Sequence, residues 1–164
     1  MKRCVGLPGQ TLQIKDRIVY LDGKANKEPD NVQYSYKVRL KRHFTDEEMQ
    51  EWGITMEELM DLNNYGYMQM TTQTASALKQ RKDIVDSIAI VTEASELDIY
   101  PLNGNKHWTR DNYGPIWIPK KGESITLTLD NIAIYERPIK VYEGNDLQIR
   151  DGKIFINGNE AKDH

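Results

Sequence analysis

The feature that most constrains the fold is a hairpin pattern that occurs near both ends of the chain. Leu12-Gln13-Ile14-Lys15-Asp16 returns as Leu147-Gln148-Ile149-Arg150-Asp151, and the match continues without a gap from Val19-Tyr20-Leu21-Asp22-Gly23 to Ile154-Phe155-Ile156-Asn157-Gly158. Each copy reads as two short strands closed by Asp-Gly or Asn-Gly, dipeptides that enter positive φ at little steric cost and so mark tight turns. A weaker third copy begins at Gly122-Glu123-Ser124-Ile125-Thr126-Leu127. The spacing is too long and irregular for a solenoid. Shared turn chemistry and duplication both account for the echo. In either case the first and last segments belong to one β domain, and what lies between them is an insertion.

The insertion has its own grammar. From Gln33 to Arg42 the chain alternates, with Tyr34, Tyr36, Val38 and Leu40 on one face and Ser35, Lys37, Arg39 and Lys41 on the other. Period two over this length predicts a half-buried strand. Its basic face is suited to phosphate or acidic lipid headgroups, or simply to water. Thr45-Asp46-Glu47-Glu48 and Thr55-Met56-Glu57-Glu58 are capping boxes separated by Gly53, which predicts two short helices with acids in their first turns. A third helix is expected near Thr74–Lys79, and residues 84–91 fit a strand or a helix. Met49, Met56, Met60, Met68 and Met70 are expected as core filler. After Trp108 strands are predicted over 116–118, 124–129, 132–135, 139–142, 147–149 and 153–156, punctuated by Gly, Pro, Asn and Asp. The expected fold is mainly β: an antiparallel barrel or sandwich-like core formed by 1–30 and 112–164, interrupted at 31–111 by an α+β domain with short helices.

Composition narrows the function classes. Charged residues make up 29% of the 164, but both signs are interspersed and the net charge is −3. That balance argues against a general nucleic-acid binder, which is usually basic. No apolar run approaches the roughly 18 residues of a membrane span. His43, His107 and His164 lack ligand spacing to Cys or to paired carboxylates, so no metal and no cofactor is expected. Ser35, Ser76, Ser87, Ser95 and Ser124 lack the context of a nucleophile elbow. The one cysteine, Cys4, excludes an internal disulfide and reads as a small core residue.

Lys2-Arg3-Cys4-Val5-Gly6-Leu7-Pro8-Gly9-Gln10, with the hairpin that follows it, resembles the lysine-bearing motif of bacterial type I signal peptidases. The match lies at Lys2, Arg3, Val5, Gly6, Pro8 and Gly9. Gln10 stands where the family usually has Asp, a departure that touches a turn rather than the chemistry. The resemblance implies a membrane-anchored serine endopeptidase whose catalytic domain lies on the extracytoplasmic side of the cytoplasmic membrane and which removes signal peptides from exported preproteins. It makes Lys2 the general base, places Met1 near the substrate's small-residue pockets, and gives Arg3, Gly6, Pro8 and Gly9 structural roles. The family's serine belongs to a Ser-x-x-Pro-Thr-like motif just after the anchor, and a Gly-Asp-Asn-Arg motif comes later. Neither occurs in this sequence, and Asp111-Asn112-Tyr113-Gly114 has the wrong order to replace the second. The chain is therefore expected to be an excised piece, inactive alone.

Lysine accepts a proton only when neutral, so a base working near neutrality needs a pKa well below the ordinary lysine value. Burial supplies that shift by disfavouring the charged form. If Lys2 lies on a strand it shares a face with Cys4, while Arg3 points away and can stay in water. Val5 and Leu7 are the expected apolar surroundings. Two other readings compete. Trp108, Tyr113 and Trp117 suit an aromatic platform for glycan or peptide, although aromatics at strand ends commonly pack a core. The helical insertion also suits a scaffold that docks a membrane or translocation partner.

Overall fold

The echoing segments form the same hairpin twice. In the first, β1 (Thr11–Lys15) pairs antiparallel with β2 (Ile18–Leu21), and β2 with β3 (Lys24–Ala25). The other three strands at the far end of the chain repeat this arrangement. There Leu147–Arg150 pairs with Lys153–Ile156, and the latter with Asn159–Glu160. Leu12↔Leu21 corresponds to Leu147↔Ile156, and Lys15↔Ile18 to Arg150↔Lys153. The tips match as well: Asp16 and Arg17 have φ 47° and 73°, Asp151 and Gly152 have 48° and 73°. A side-chain cap recurs, with the Thr11 amide donating to Asp22 Oδ1 at 2.8 Å and the Asp146 amide to Asn157 Oδ1 at 2.9 Å. Even a cation over a ring is repeated, Lys15 above Tyr20 at 5.3 Å and Arg150 above Phe155 at 5.7 Å. Both copies therefore share side-chain devices as well as turn residues.

The structure, a computed structural model, describes residues 4–92, 99–102 and 106–161. These divide into two compact units, one from Lys27–Thr92 and the other from the described parts of Met1–Asn26 and Glu93–His164. The fold is mainly β with antiparallel sheets. Among the described residues every sheet is open, with edge strands, and none closes into a barrel.

In the Lys27–Thr92 unit, β4 (Gln33–Leu40) is the central strand of a sheet with β5 (Tyr67–Thr71) and β6 (Val85–Ile90). Its predicted alternation holds: Tyr36 and Val38 are buried while Lys37 and Arg39 are exposed. Helices α1 (Asp46–Trp52) and α2 (Met56–Tyr65) start on the predicted capping boxes, with Thr45 and Thr55 accepting from the Glu48 and Glu58 amides and the glutamates accepting in return. Helix α3 (Thr72–Gln80) follows β5 directly, capped by Thr71. Leu62, Ala75 and Leu78 from the helices close over Tyr36, Val38, Met68, Met70 and Val85 from the sheet. The ambiguous segment 84–91 is a strand because it borders β4, where Val85 and Ile84 are almost completely buried. Met68 and Met70 are core residues as expected. Met56 and Met60 are 66% and 61% exposed, because they fall on the outer side of α2.

In the other unit, β7 (Tyr113–Trp117) pairs antiparallel with β1, giving the order β3-β2-β1-β7. The strands expected over 132–135 and 139–142 are instead α4 (Ile132–Arg137) and a π-helical turn at Pro138–Tyr142. Residues 124–129 form no strand. Thr128 and Asn131 exchange hydrogen bonds, the Thr128 amide donating to Asn131 Oδ1 and the Asn131 amide to Thr128 Oγ1, which closes a turn directly before the helix. Ile132, Tyr135 and Ile139 are all buried, and their i, i+3, i+7 spacing is helical. A short run of β-branched residues hides that period. With β8 (Leu147–Arg150) and β9 (Lys153–Ile156), these residues form the core: Ile132, Ile134, Tyr135 and Ile139 meet Leu147, Ile154 and Ile156, with Ile116 and Trp108 packed alongside. The remaining strand, β10 (Asn159–Glu160), lies at the sheet edge.

Candidate active site

Met1, Lys2 and Arg3 lie outside the described residues. The motif becomes visible from Cys4. The chain turns at Leu7-Pro8-Gly9, where the Gln10 amide donates to the Leu7 carbonyl at 3.1 Å and the Gln10 side-chain carbonyl accepts from the Leu7 amide at 2.9 Å. Gln10, the residue that departs from the family pattern, thus closes the turn through its own side chain. Ile118, just past β7, is clasped from both sides of this turn. Its carbonyl accepts from the Gly9 amide at 2.7 Å and its amide donates to the Gln10 carbonyl at 2.8 Å.

The glycines have different reasons to be there. Gly9 adopts φ 88°, a region that side chains disfavour. Gly6 makes room for Ile118, since a Cβ on Gly6 would stand 2.5 Å from Ile118 Cδ1. Pro8 fixes one φ of the turn and removes an amide that would otherwise need a partner.

Two expectations for the neighbouring residues are corrected. Residues 4–10 are not a strand, and Cys4 is exposed rather than core, its thiol donating to the Gly6 carbonyl at 3.0 Å. Val5 and Leu7 are exposed as well, at 43% and 62%. Only Gly9 and Gln10 bond to Ile118, next to the Thr11↔Trp117 pair, and residues 4–7 have no strand partner among the described residues, so alternation does not direct their side chains inward.

Beyond Ile118 lies an apolar pocket of about 410 Å³, lined by Ile116, Trp117, Ile118, Tyr135, Tyr100 and Tyr142 among others. Two of its tyrosine hydroxyls are occupied. The Tyr135 hydroxyl donates to the Trp117 carbonyl at 2.9 Å, and the Tyr100 hydroxyl donates to the Ile134 carbonyl. Burial raises the pKa of Tyr100, Tyr113 and Tyr135 above the ordinary tyrosine value, so all three remain neutral donors near neutrality. Tyr100 and Tyr135 gave no sequence signal, because they reach the pocket from a loop and from a helix read as a strand.

The other candidates separate. Trp108 packs on the core and meets Tyr113 edge-on, ring centroids 4.8 Å apart. Trp117 lines the pocket. Asp111 and Asn112 hold the tip of the first hairpin: Arg17 reaches Asp111 at 3.0 Å, and the Asp16 amide donates to Asn112 Oδ1 at 3.1 Å. Among the described residues no group of three or more His, Cys, Asp or Glu side chains could hold a metal, and no helix is long and apolar enough to cross a membrane. Ser95 lies outside the described residues, and Ser35 accepts a hydrogen bond from Gln69 Nε2 at 2.7 Å.

No curated protein and no solved structure matches the chain. The family described as "Signal peptidase, peptidase S26" matches residues 1–84, which begin at the lysine motif and run through the turn, the first hairpin and most of the Lys27–Thr92 unit. With half of its length matched, and with the Gly-Leu-Pro-Gly turn closed on Ile118 directly after the lysine, the chain belongs to the S26 signal peptidase family.

Proposed function

We propose that the chain is the lysine-bearing part of a membrane-anchored signal peptidase I, a serine endopeptidase that cleaves signal peptides from exported preproteins on the extracytoplasmic side of the membrane. Lys2 is the general base, and Met1 lines the site for the small residues of the substrate. Lys2 works with a serine nucleophile of a Ser-x-x-Pro-Thr-like motif, and the 164 residues by themselves are expected to be inactive. In this reading the catalytic core comprises 1–30 and 112–164, and 31–111 is an insertion. The observation that supports it most is the family match over residues 1–84, which starts on Lys2-Arg3 and includes a turn that Gly6, Gly9 and Gln10 lock against Ile118.

The chemistry follows from the lysine. A neutral amine takes the serine proton as the hydroxyl oxygen attacks the scissile carbonyl, then returns it to the leaving amine. The test joins this chain to a segment supplying an anchor and a Ser-x-x-Pro-Thr motif, and follows cleavage of a preprotein with small residues before the cut. Lys2→Ala and Lys2→Arg should each lower turnover by about 10²–10⁴-fold without changing thermal stability, since arginine stays charged. Full activity in Lys2→Ala would overturn the assignment.

A further inference from the structure

The Lys27–Thr92 unit separates its charge across one sheet. Helices α2 and α3 cover the face of β4 that carries Tyr36 and Val38, leaving the face with Lys37 and Arg39 open. Between residues 33 and 42 the sequence has four basic residues and no acid, whereas between 46 and 61 it has seven acids and no base. The open face of the sheet thus presents Lys37 and Arg39, while the acids between 46 and 61 lie on α1 and α2. Among the described residues Lys37 has no carboxylate within ion-pair distance, and Arg39 reaches Asp86 only loosely, at 3.9 Å with the arginine 78% exposed. A cleft of about 640 Å³ runs along the strand, lined by Lys37, Arg39, Lys41, Arg42, Ser87 and Ala89 among others.

Beside these cations sit two tyrosines. Tyr67 is opposite Lys37 in the β4–β5 register, so the two side chains share a face. Its ring stacks on Tyr65, with centroids 5.8 Å apart, and Tyr65 is 66% exposed. Tyrosine combines an apolar ring with a polar tip, which suits the level of lipid headgroups.

We propose that this open face, through Lys37, Arg39 and the Tyr65–Tyr67 pair, docks on the surface of an anionic phospholipid bilayer. Geometry favours a bilayer over a flexible polyanion. A plane meets only the face that presents Lys37 and Arg39, whereas a nucleic acid able to wrap the chain also meets the acids of α1 and α2 and a molecule of net charge −3. The attraction is short-ranged, falling off within a Debye length, so the contact is reversible and orients the unit rather than anchoring it. Vesicle binding needs no peptidase activity, so it can fail while the assignment of Lys2 stands, and the reverse.

The test is co-sedimentation of the whole chain with vesicles of phosphatidylcholine alone, or containing about 30% phosphatidylglycerol. Binding is expected only to the anionic vesicles and should weaken as salt is raised. Each cation near the surface contributes about fivefold, so Lys37→Gln with Arg39→Gln should lower partitioning by about 25-fold. Tyr65→Ser should weaken binding with both cations in place. The variants must keep the native melting temperature. Equal binding to both vesicle types, unchanged binding by the double variant, or single-stranded DNA bound through Lys37 and Arg39 while vesicles are not, would overturn the proposal.

Discussion

Arg17 Nη1 donates to Asp111 Oδ2 at 3.0 Å, joining the tip of the first hairpin to a residue 94 positions later. Asp111 is the one charged residue classed as buried among those described. A second bond runs in parallel, from the Arg17 amide to the Asp111 carbonyl at 2.9 Å. The second hairpin has Gly152 where the first has Arg17, at the same φ of 73°. Arginine therefore occupies a position that favours glycine, and its ion pair offsets the backbone cost.

Replacing Arg17 separates those two effects. Arg17→Ala keeps the unfavourable φ and removes a hydrogen bond between charged groups, for a loss of about 2 kcal/mol. Arg17→Gly loses the same bond and relaxes the backbone, so its loss should be smaller by about 0.5–1 kcal/mol. Urea unfolding of both variants checks the order, and equal losses would mean the left-handed backbone carries no strain.

The glycines at 6 and 114 differ in what surrounds them. A Cβ on Gly114 would stand 2.7 Å from the Leu12 carbonyl oxygen at φ 85°, and β1 cannot move away without breaking its pairing with β2. Gly114→Ala should cost at least about 2 kcal/mol. At Gly6 the obstacle is the tip of the Ile118 side chain, which can change rotamer, so Gly6→Ala should cost about 1 kcal/mol. Thermal denaturation of the two variants tests the difference.

Acid should loosen the helix-bearing unit through Glu48. This carboxylate accepts from Arg42 at 2.7 Å, from the Thr45 amide at 2.9 Å and from Arg81 at 3.0 Å. Led by the Arg42 hydrogen bond and then that of Thr45, these hold its pKa down to about 2 against an ordinary 4.5. Asp83 is lowered as well, mainly by its hydrogen bond with Arg81. Between pH 4.5 and 2 the unfolded chain binds a proton at residue 48 that the folded chain does not. The stabilisation is therefore fully present above that window and lost as pH falls through it. Urea midpoints between neutral and acid pH should show the native chain's advantage over Glu48→Gln shrinking through that range; a constant gap would remove Glu48 from the account.

Burial distinguishes apolar residues that look alike in the sequence. Leu78 is fully buried beneath the sheet, so Leu78→Ala should cost about 2–5 kcal/mol. Met60, expected in the core and found 61% exposed, should be replaceable by alanine within about 0.5 kcal/mol. Chemical denaturation of the two variants reads the contrast directly.

Much of the fold was legible because its signals are local. The capping boxes at Thr45 and Thr55 lie within four residues, the alternation from Tyr34 to Lys41 is carried by consecutive residues, and Asp22-Gly23 and Asn157-Gly158 encode their turns in two. Where a signal needed a distant partner, reading failed. Cys4, Val5 and Leu7 look like strand, yet backbone pairing with the segment of Ile118 begins only at Gly9 and Gln10, and no strand among the described residues buries those before them. Residues 132–142 look like strands too, but the Thr128–Asn131 turn starts a helix and the core packs Ile132, Tyr135 and Ile139 on one side.

The sequence by itself determined the repeated hairpin, the two capped helices, the half-buried central strand and the lysine motif that marks the family. Each rests on backbone preference or on the period of neighbouring side chains. Only the tertiary structure decided that Gln10 closes the turn, that Gly6 makes room for Ile118, that Tyr100 and Tyr135 reach one pocket, and that the basic face of β4 stays open. These depend on which surfaces meet, and close packing between residues far apart in the chain leaves no period in the sequence to reveal it.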